Sequence, residues 1–163
     1  MGKKYSSERY NPSIAHCGTL RITFNGSFLE LEGGSRSYVY VAASGRPIGS
    51  IFDYSPERQT KPDAGPIPIG IYWINPDEIW ENAWYKFASS SAWGNYRITI
   101  HPFTTTETYG RGGFFIHGGD QLGSAGCIDL ALSMDRFIED LRRELGKSRV
   151  CQIHVTVNYG MAP

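Results

Sequence analysis

The run Gly112 to Leu130, GGFFIHGGDQLGSAGCIDL, constrains this chain more than any other stretch. Phe114-Phe115-Ile116 is a short continuous apolar run, which predicts a buried strand carrying His117 at its end. Gly118-Gly119-Asp120 must then break that strand. Cys127 stands ten residues after His117, inside Ser124-Ala125-Gly126-Cys127, where small neighbours let the backbone turn sharply and a substrate approach the thiol. Such a stretch offers a cysteine nucleophile with a histidine base, together with backbone N–H groups aimed at a developing oxyanion. A solitary thiol is more often a small buried hydrophobe, and a solitary imidazole a satisfied core or surface residue. Taken jointly, a strand ending in His, a glycine-rich loop and Ser-x-Gly-Cys favour chemistry, because a packing thiol has no need of a preceding glycine.

These residues resemble the active-site signature of the L,D-transpeptidase catalytic domain family (YkuD-type): His-Gly, then Ser/Thr-His-Gly-Cys and an apolar residue. His117-Gly118 matches the first part, and Ser124, Gly126, Cys127 and Ile128 match the second. Ala125 stands where the family usually has His, Asp129 where many members carry Arg, and the His-to-Cys interval is short. In these departures the chain is similar to a divergent branch, the L,D-transpeptidase-like toxins delivered by type VI secretion. That branch tends to carry Gly-Pro-Ile-Pro-x-Gly-x-Tyr upstream, matched here by Gly65-Pro66-Ile67-Pro68-Ile69-Gly70-Ile71-Tyr72. The resemblance spans Ala43 to Leu130. It implies a mainly β fold, a β-sandwich or barrel with one or two short helices. It further implies acyl transfer on the tetrapeptide stem of peptidoglycan, without a cofactor.

The rest of the chain agrees with a strand-rich single domain. Its 163 residues include 19 Gly, 9 Pro and 13% aromatics, a loop-rich and strand-rich composition. Sixteen basic and sixteen acidic residues cancel, so nothing electrostatic favours nucleic acid or an anionic membrane. No apolar run reaches transmembrane length, and Met1 to Ala15 is polar without the apolar centre of a signal peptide. A cell-wall substrate would then require another delivery route.

Residues 1–17 are expected as a flexible arm and residues 18–163 as one catalytic domain. Alternation on either side of Asn25-Gly26 predicts a hairpin over residues 19–32. Strands are expected at 38–42, 71–74, 96–101 and 150–159, with Cys151 on the face of Ile153, Val155 and Val157. Ser55 to Pro68 reads as a surface loop, because its prolines lack the N–H groups that a central strand needs. Ile79, Trp80, Ala83, Trp84 and Phe87 fit a short amphipathic helix. Met134, Phe137, Ile138, Leu141 and Leu145 form the core stripe of a second helix, opened by Ser133 and closed by Gly146. In a reducing compartment Cys17 and Cys151 are expected as free thiols, whereas an oxidising one permits a bridge.

What the family resemblance implies for the site can be put residue by residue. Cys127 would be the nucleophile and His117 its base, oriented by the carbonyl of Gly118 or Gly119. The N–H groups of Gly126 and Cys127 would hold the oxyanion, and Ser124 would support the thiolate or simply make a turn. Arg111, His101, Gly119 and Asp120 are the expected substrate contacts, Arg111 for the carboxylate that Asp129 cannot meet. His101, His117, Asp120 and Cys127 lack the tight spacing of a zinc site. A Ser124 hydrolase lacks the Gly-x-Ser-x-Gly elbow. The remaining rivals are a non-catalytic peptidoglycan-binding module and a domestic wall-crosslinking enzyme. For a toxin, the implied partners are stem peptides, secretion-machine components and a periplasmic immunity protein.

Overall fold

A computed structural model describes residues 9–81 and 95–160. Among these residues ten strands form one sheet: β1 His16–Phe24, β2 Phe28–Glu32, β3 Tyr38–Val41, β4 Ala43–Ser44, β5 Gly70–Ile74, β6 Ile79–Glu81, β7 Tyr96–Pro102, β8 Phe114–His117, β9 Ile128–Asp129 and β10 Gln152–Val157. Among the described residues two α-helices join them, α1 Pro56–Gln59 and α2 Met134–Leu145. The strand order is β3-β2-β1-β10-β5-β7-β8-β9-β4, with β6 pairing β7 off this path. Because β3 and β4 are chain neighbours at opposite ends of that path, the sheet nearly closes into a barrel. Closure leaves few open edges and encloses one core. The mainly β fold expected from the sequence is the one observed.

Local chemistry explains the elements. Asn25 accepts the N–H groups of Ser27 (2.9 Å) and Phe28 (2.8 Å) on its side-chain oxygen, which turns the chain between β1 and β2. Leu29 and Leu31 then face inward beside Ile22 and Phe24, all 1% exposed or less. Every residue of the α2 stripe is buried, and Gly146 ends the helix at φ +61°. Ser133 makes no side-chain cap; the chain enters α2 through a short 3-10 turn, Ala131–Ser133. No helix among the described residues is long and apolar enough to cross a membrane.

Three expectations change. The helix expected from Ile79 onward is a strand over its described part, β6, because Ile79 and Trp80 pair with Ile98 and Arg97 of β7. Ala83, Trp84 and Phe87 lie outside the described residues. The Ser55–Pro68 segment is more than a surface loop: it contains α1, and Gly65 to Pro68 are buried. The arm expected over residues 1–17 is docked where it is described. Tyr10 packs edge-on against Trp73, Ala15 accepts the Gln152 N–H, and His16 and Cys17 belong to β1.

Cys17 and Cys151 form a disulfide with both residues buried. It pins the start of β1 beside β10, which run parallel and are far apart in sequence. Bridging residues 134 positions apart restricts the unfolded chain strongly, and loss of such a bridge costs about 2–5 kcal/mol. Reduction should therefore lower the melting temperature by about 5–15 °C and raise the intact mass by that of two hydrogen atoms. An unchanged mass would show two free thiols.

Candidate active site

β8 and β9 run side by side in parallel, with His117 opposite Asp129 and Ile116 opposite Ile128. The isoleucines point into the core, so His117 and Asp129 share the other face. Cys127 immediately precedes β9, two residues before Asp129, and therefore emerges on that same face. His117 and Cys127 both line a cleft of about 790 Å³, floored by Phe115 and walled by Arg46, Pro47, Asp63 and the loop Gln121–Ala125. The strand end and the glycine-rich loop thus bring imidazole and thiol into one cavity, as the sequence pattern anticipates.

The His117 tautomer follows from its partner. Nδ1 lies 2.7 Å from the Gly118 carbonyl oxygen, which can only accept, so Nδ1 carries the hydrogen and Nε2 presents a lone pair. Burial lowers the His117 pKa, opposed by that hydrogen bond, and keeps the ring neutral. The Cys127 thiol is pushed up to about 12, first by burial, while a Phe115 backbone hydrogen bond and the charge of Arg111 oppose the rise. The resting pair is therefore thiol and imidazole rather than an ion pair. Gly118 has no room for a side chain: a Cβ there would lie 2.6 Å from the Ala131 carbonyl oxygen and 2.6 Å from Met134 Cβ.

Ser124 shapes the turn rather than touching the sulfur. Its Oγ donates to the Cys127 carbonyl at 2.8 Å, and its N–H donates to Gly45 at 3.0 Å. Gly126 sits at φ +114°, and a Cβ there would meet Arg111 Nη2 at 2.5 Å, so both conformation and space exclude a side chain.

The expected substrate contacts lie elsewhere. Arg111 is buried behind the cleft, donating from Nη1 to the carbonyls of Gln59 (2.6 Å) and Pro66 (2.7 Å), and from Nη2 to Gly65 (2.9 Å). Its placement is that of a brace whose charge reaches Cys127, and burial lowers its own pKa. His101 shares the sheet face of His117 but at the far end of β7. There it stacks on Trp73, with Nε2 2.6 Å from Glu78 and Nδ1 3.3 Å from the Tyr10 hydroxyl. Gly119 is buried, with its N–H on Ala131 at 3.3 Å, and Asp120 is exposed; neither lines the cleft. Among the described residues no three His, Cys, Asp or Glu side chains gather as a metal-ligating group.

Two features escaped sequence reasoning. Asp129 is fully enclosed and accepts the Gly123 N–H on Oδ2 (3.0 Å) and the Ala131 N–H on Oδ1 (2.8 Å), bracing the cleft loop against the turn into α2. Burial raises its carboxyl to about 7, against the pull of those two bonds. Its place two residues from Cys127 on a strand was the available signal. Arg46 and Asp63 gave none, since each sits in a turn remote in sequence from the motif.

The fold and the cleft define a small, nearly closed β-barrel domain with a neutral histidine and a lone buried cysteine at the floor of one cavity. A family model for the Tlde1 domain matches residues 44–154, about two thirds of the chain. The chain belongs to that family, the type VI secretion effectors of L,D-transpeptidase type. A comparison with curated proteins returned no match.

The brace can be tested. Arg111→Lys keeps the charge but not the planar fork. It should cost about 3 kcal/mol in urea unfolding, because buried carbonyls lose charged donors. A loss below about 0.5 kcal/mol would show that the three bonds are dispensable.

Proposed function

We propose that the protein is a cysteine-dependent acyl transferase acting on peptidoglycan tetrapeptide stems, as L,D-carboxypeptidase, D-amino-acid exchange enzyme or both. The observation that carries this reading is the His117 tautomer: with Nδ1–H on the Gly118 carbonyl, the basic nitrogen is Nε2, and the ring lines the cavity that Cys127 also lines. Membership of the Tlde1 domain family supports the substrate class and a role as an antibacterial effector.

The steps follow from the groups present. His117 Nε2 takes the Cys127 proton as the sulfur attacks the carbonyl of the stem's third residue, the L-centre of a diamino acid. The tetrahedral oxyanion is met by the N–H groups of Gly126 and Cys127, which Ser124 and Arg111 hold in place. The C–N bond to the terminal D-alanine breaks, and the imidazolium returns its proton to the leaving amine. The resulting thioester is opened by water or by a D-amino acid amine, with His117 again accepting the proton and the thiol reforming. A thiol near 12 is almost wholly protonated at neutral pH. Proton removal must therefore accompany attack, and substrate must exclude water from the pair.

As an effector, the enzyme would act in the periplasm of a target cell, where stems are polymerised, and a producer's immunity protein would cover the cleft. The oxidised Cys17–Cys151 pair fits an oxidising compartment.

Purified protein incubated with tetrapeptide muropeptides should release D-alanine. Cys127→Ala and His117→Ala should each lower kcat by about 10³-fold or more, and the double variant should be little worse, since the two act as a unit. A thiol-alkylating agent should inactivate the enzyme and substrate should protect it, while a chelator leaves activity unchanged. Undiminished turnover by Cys127→Ala would exclude the thiol as nucleophile, and stem binding without turnover by the wild type would place the protein among binding modules.

A further inference from the structure

Two charged residues of the cleft stand outside the chemistry above. Arg46 and Asp63 line it near Pro47 and Ser124, and among the described residues they are its only ionisable lining residues besides His117 and Cys127. Both are exposed. The backbone fixes where they stand. The Arg46 N–H donates to Ala64 at 2.8 Å, Arg46 Nε donates to the Asp63 carbonyl at 2.8 Å, and Arg58 Nη2 donates to the Arg46 carbonyl at 3.1 Å. Asp63 itself sits at φ +62°, a conformation that few non-glycine residues adopt.

The same segments touch the catalytic loop. Gly45 accepts the Ser124 N–H, and a Cβ at Gly123 would lie 3.2 Å from Pro47 Cδ. The two charges are therefore carried by the wall that packs against the Cys127 turn.

With Nε on the Asp63 carbonyl, the Arg46 guanidinium keeps its two terminal nitrogens for a ligand. The ion pairs among the described residues join other side chains, and none links Arg46 to the Asp63 carboxylate. A cation held by its Nε and a neighbouring anion that does not pair with it match a ligand that carries both charges. Guanidinium N–H groups take a carboxylate, and a carboxylate takes an ammonium. Arg111 cannot serve here, because its donors are held by three carbonyls.

We propose that Arg46 and Asp63 form a subsite for a zwitterionic α-amino-carboxylate group. This rests on the acyl-transfer reading, in which two reactants carry that group: the far end of a diamino acid at the stem's third position, and a free D-amino acid acting as acceptor. The terminal D-alanine does not, since its nitrogen is in the scissile amide.

Two tetrapeptide stems separate the possibilities. One has 2,6-diaminopimelate at the third position, with ammonium and carboxylate at its far end; the other has lysine, with ammonium alone. If the stem is the ligand, KM for the diaminopimelate stem is about tenfold below that for the lysine stem. Arg46→Gln abolishes that preference with kcat little changed, while Asp63→Asn raises KM for both stems. If the acceptor is the ligand, the same variants raise KM for the D-amino acid in exchange and leave both stem KM values alone. Either pattern supports the subsite. Asparagine tolerates the left-handed backbone of Asp63. Arg46→Lys, which lacks the two-nitrogen edge, reads the same point with a smaller rise in KM if Arg46→Gln does not fold. Folded variants that change neither the stem preference nor exchange overturn the proposal.

Calorimetric titration of 2,6-diaminopimelate and of a D-amino acid into Cys127→Ala protein separates this proposal from the function it rests on. Binding that Arg46→Gln removes, in a protein whose wild type turns over no stem, keeps the subsite and discards the reaction. Turnover that Arg46 and Asp63 variants leave untouched keeps the reaction and discards the subsite.

Discussion

Arg111 holds this molecule's site together. The Gly65-Pro66-Ile67-Pro68 segment is buried, yet its prolines cannot join a ladder, so its polar atoms must be met by side chains. Arg111 meets the carbonyls of Gly65 and Pro66, and the Ser44 hydroxyl meets the Ile67 N–H at 2.8 Å. The hydroxyls of Tyr159 and Tyr72 meet the carbonyls of Ile67 and Pro68. The guanidinium lies against Gly126 at the same time. One cation thus fixes a proline-rich wall, excludes any side chain before Cys127 and places positive charge near the thiol. The absence of a Cβ at Gly126 is a condition of that packing as much as of substrate access.

The sheet supplies the rest of the precision. His117 is held by β7 on one side and β9 on the other, so its ring leaves a strand end whose direction is set by two ladders. Asp129, opposite it, ties the loop at Gly123 to the turn at Ala131. The cleft loop is glycine-rich but anchored at Ser124, Gly123 and Gly119 by hydrogen bonds to Gly45, Asp129 and Ala131. Away from the cleft, the Cys17–Cys151 bridge and the parallel β1–β10 pairing join segments far apart in sequence, and the nearly closed barrel depends on that seam.

Much of this was legible because it is local. The Asn25-Gly26 turn, the α2 stripe and the apolar run ending at His117 are each encoded within a few residues. The hidden parts depend on long-range pairing. Ile79-Trp80 suits a helix or a strand equally until β7 is there to pair with it. Arg111 looked like a substrate clamp because Asp129 stands where many members of the resembled family carry Arg, and only the fold shows three carbonyls converging on Arg111. Ser55–Pro68 read as surface for its prolines and charges, although side chains from remote positions satisfy its buried end. Arg46 and Asp63 are 17 residues apart and meet only through the turn at Ala64.

The claim on which everything else rests is that the stem is carried on the Cys127 sulfur. Intact-mass analysis of acid-quenched mixtures of protein and tetrapeptide stem reads this directly. The account predicts a transient adduct with the mass of the stem less its terminal D-alanine and less the thiol hydrogen, mapping to the peptide that contains Cys127. Steady release of D-alanine with no adduct at any time point, or an adduct mapping to Ser124, would contradict it.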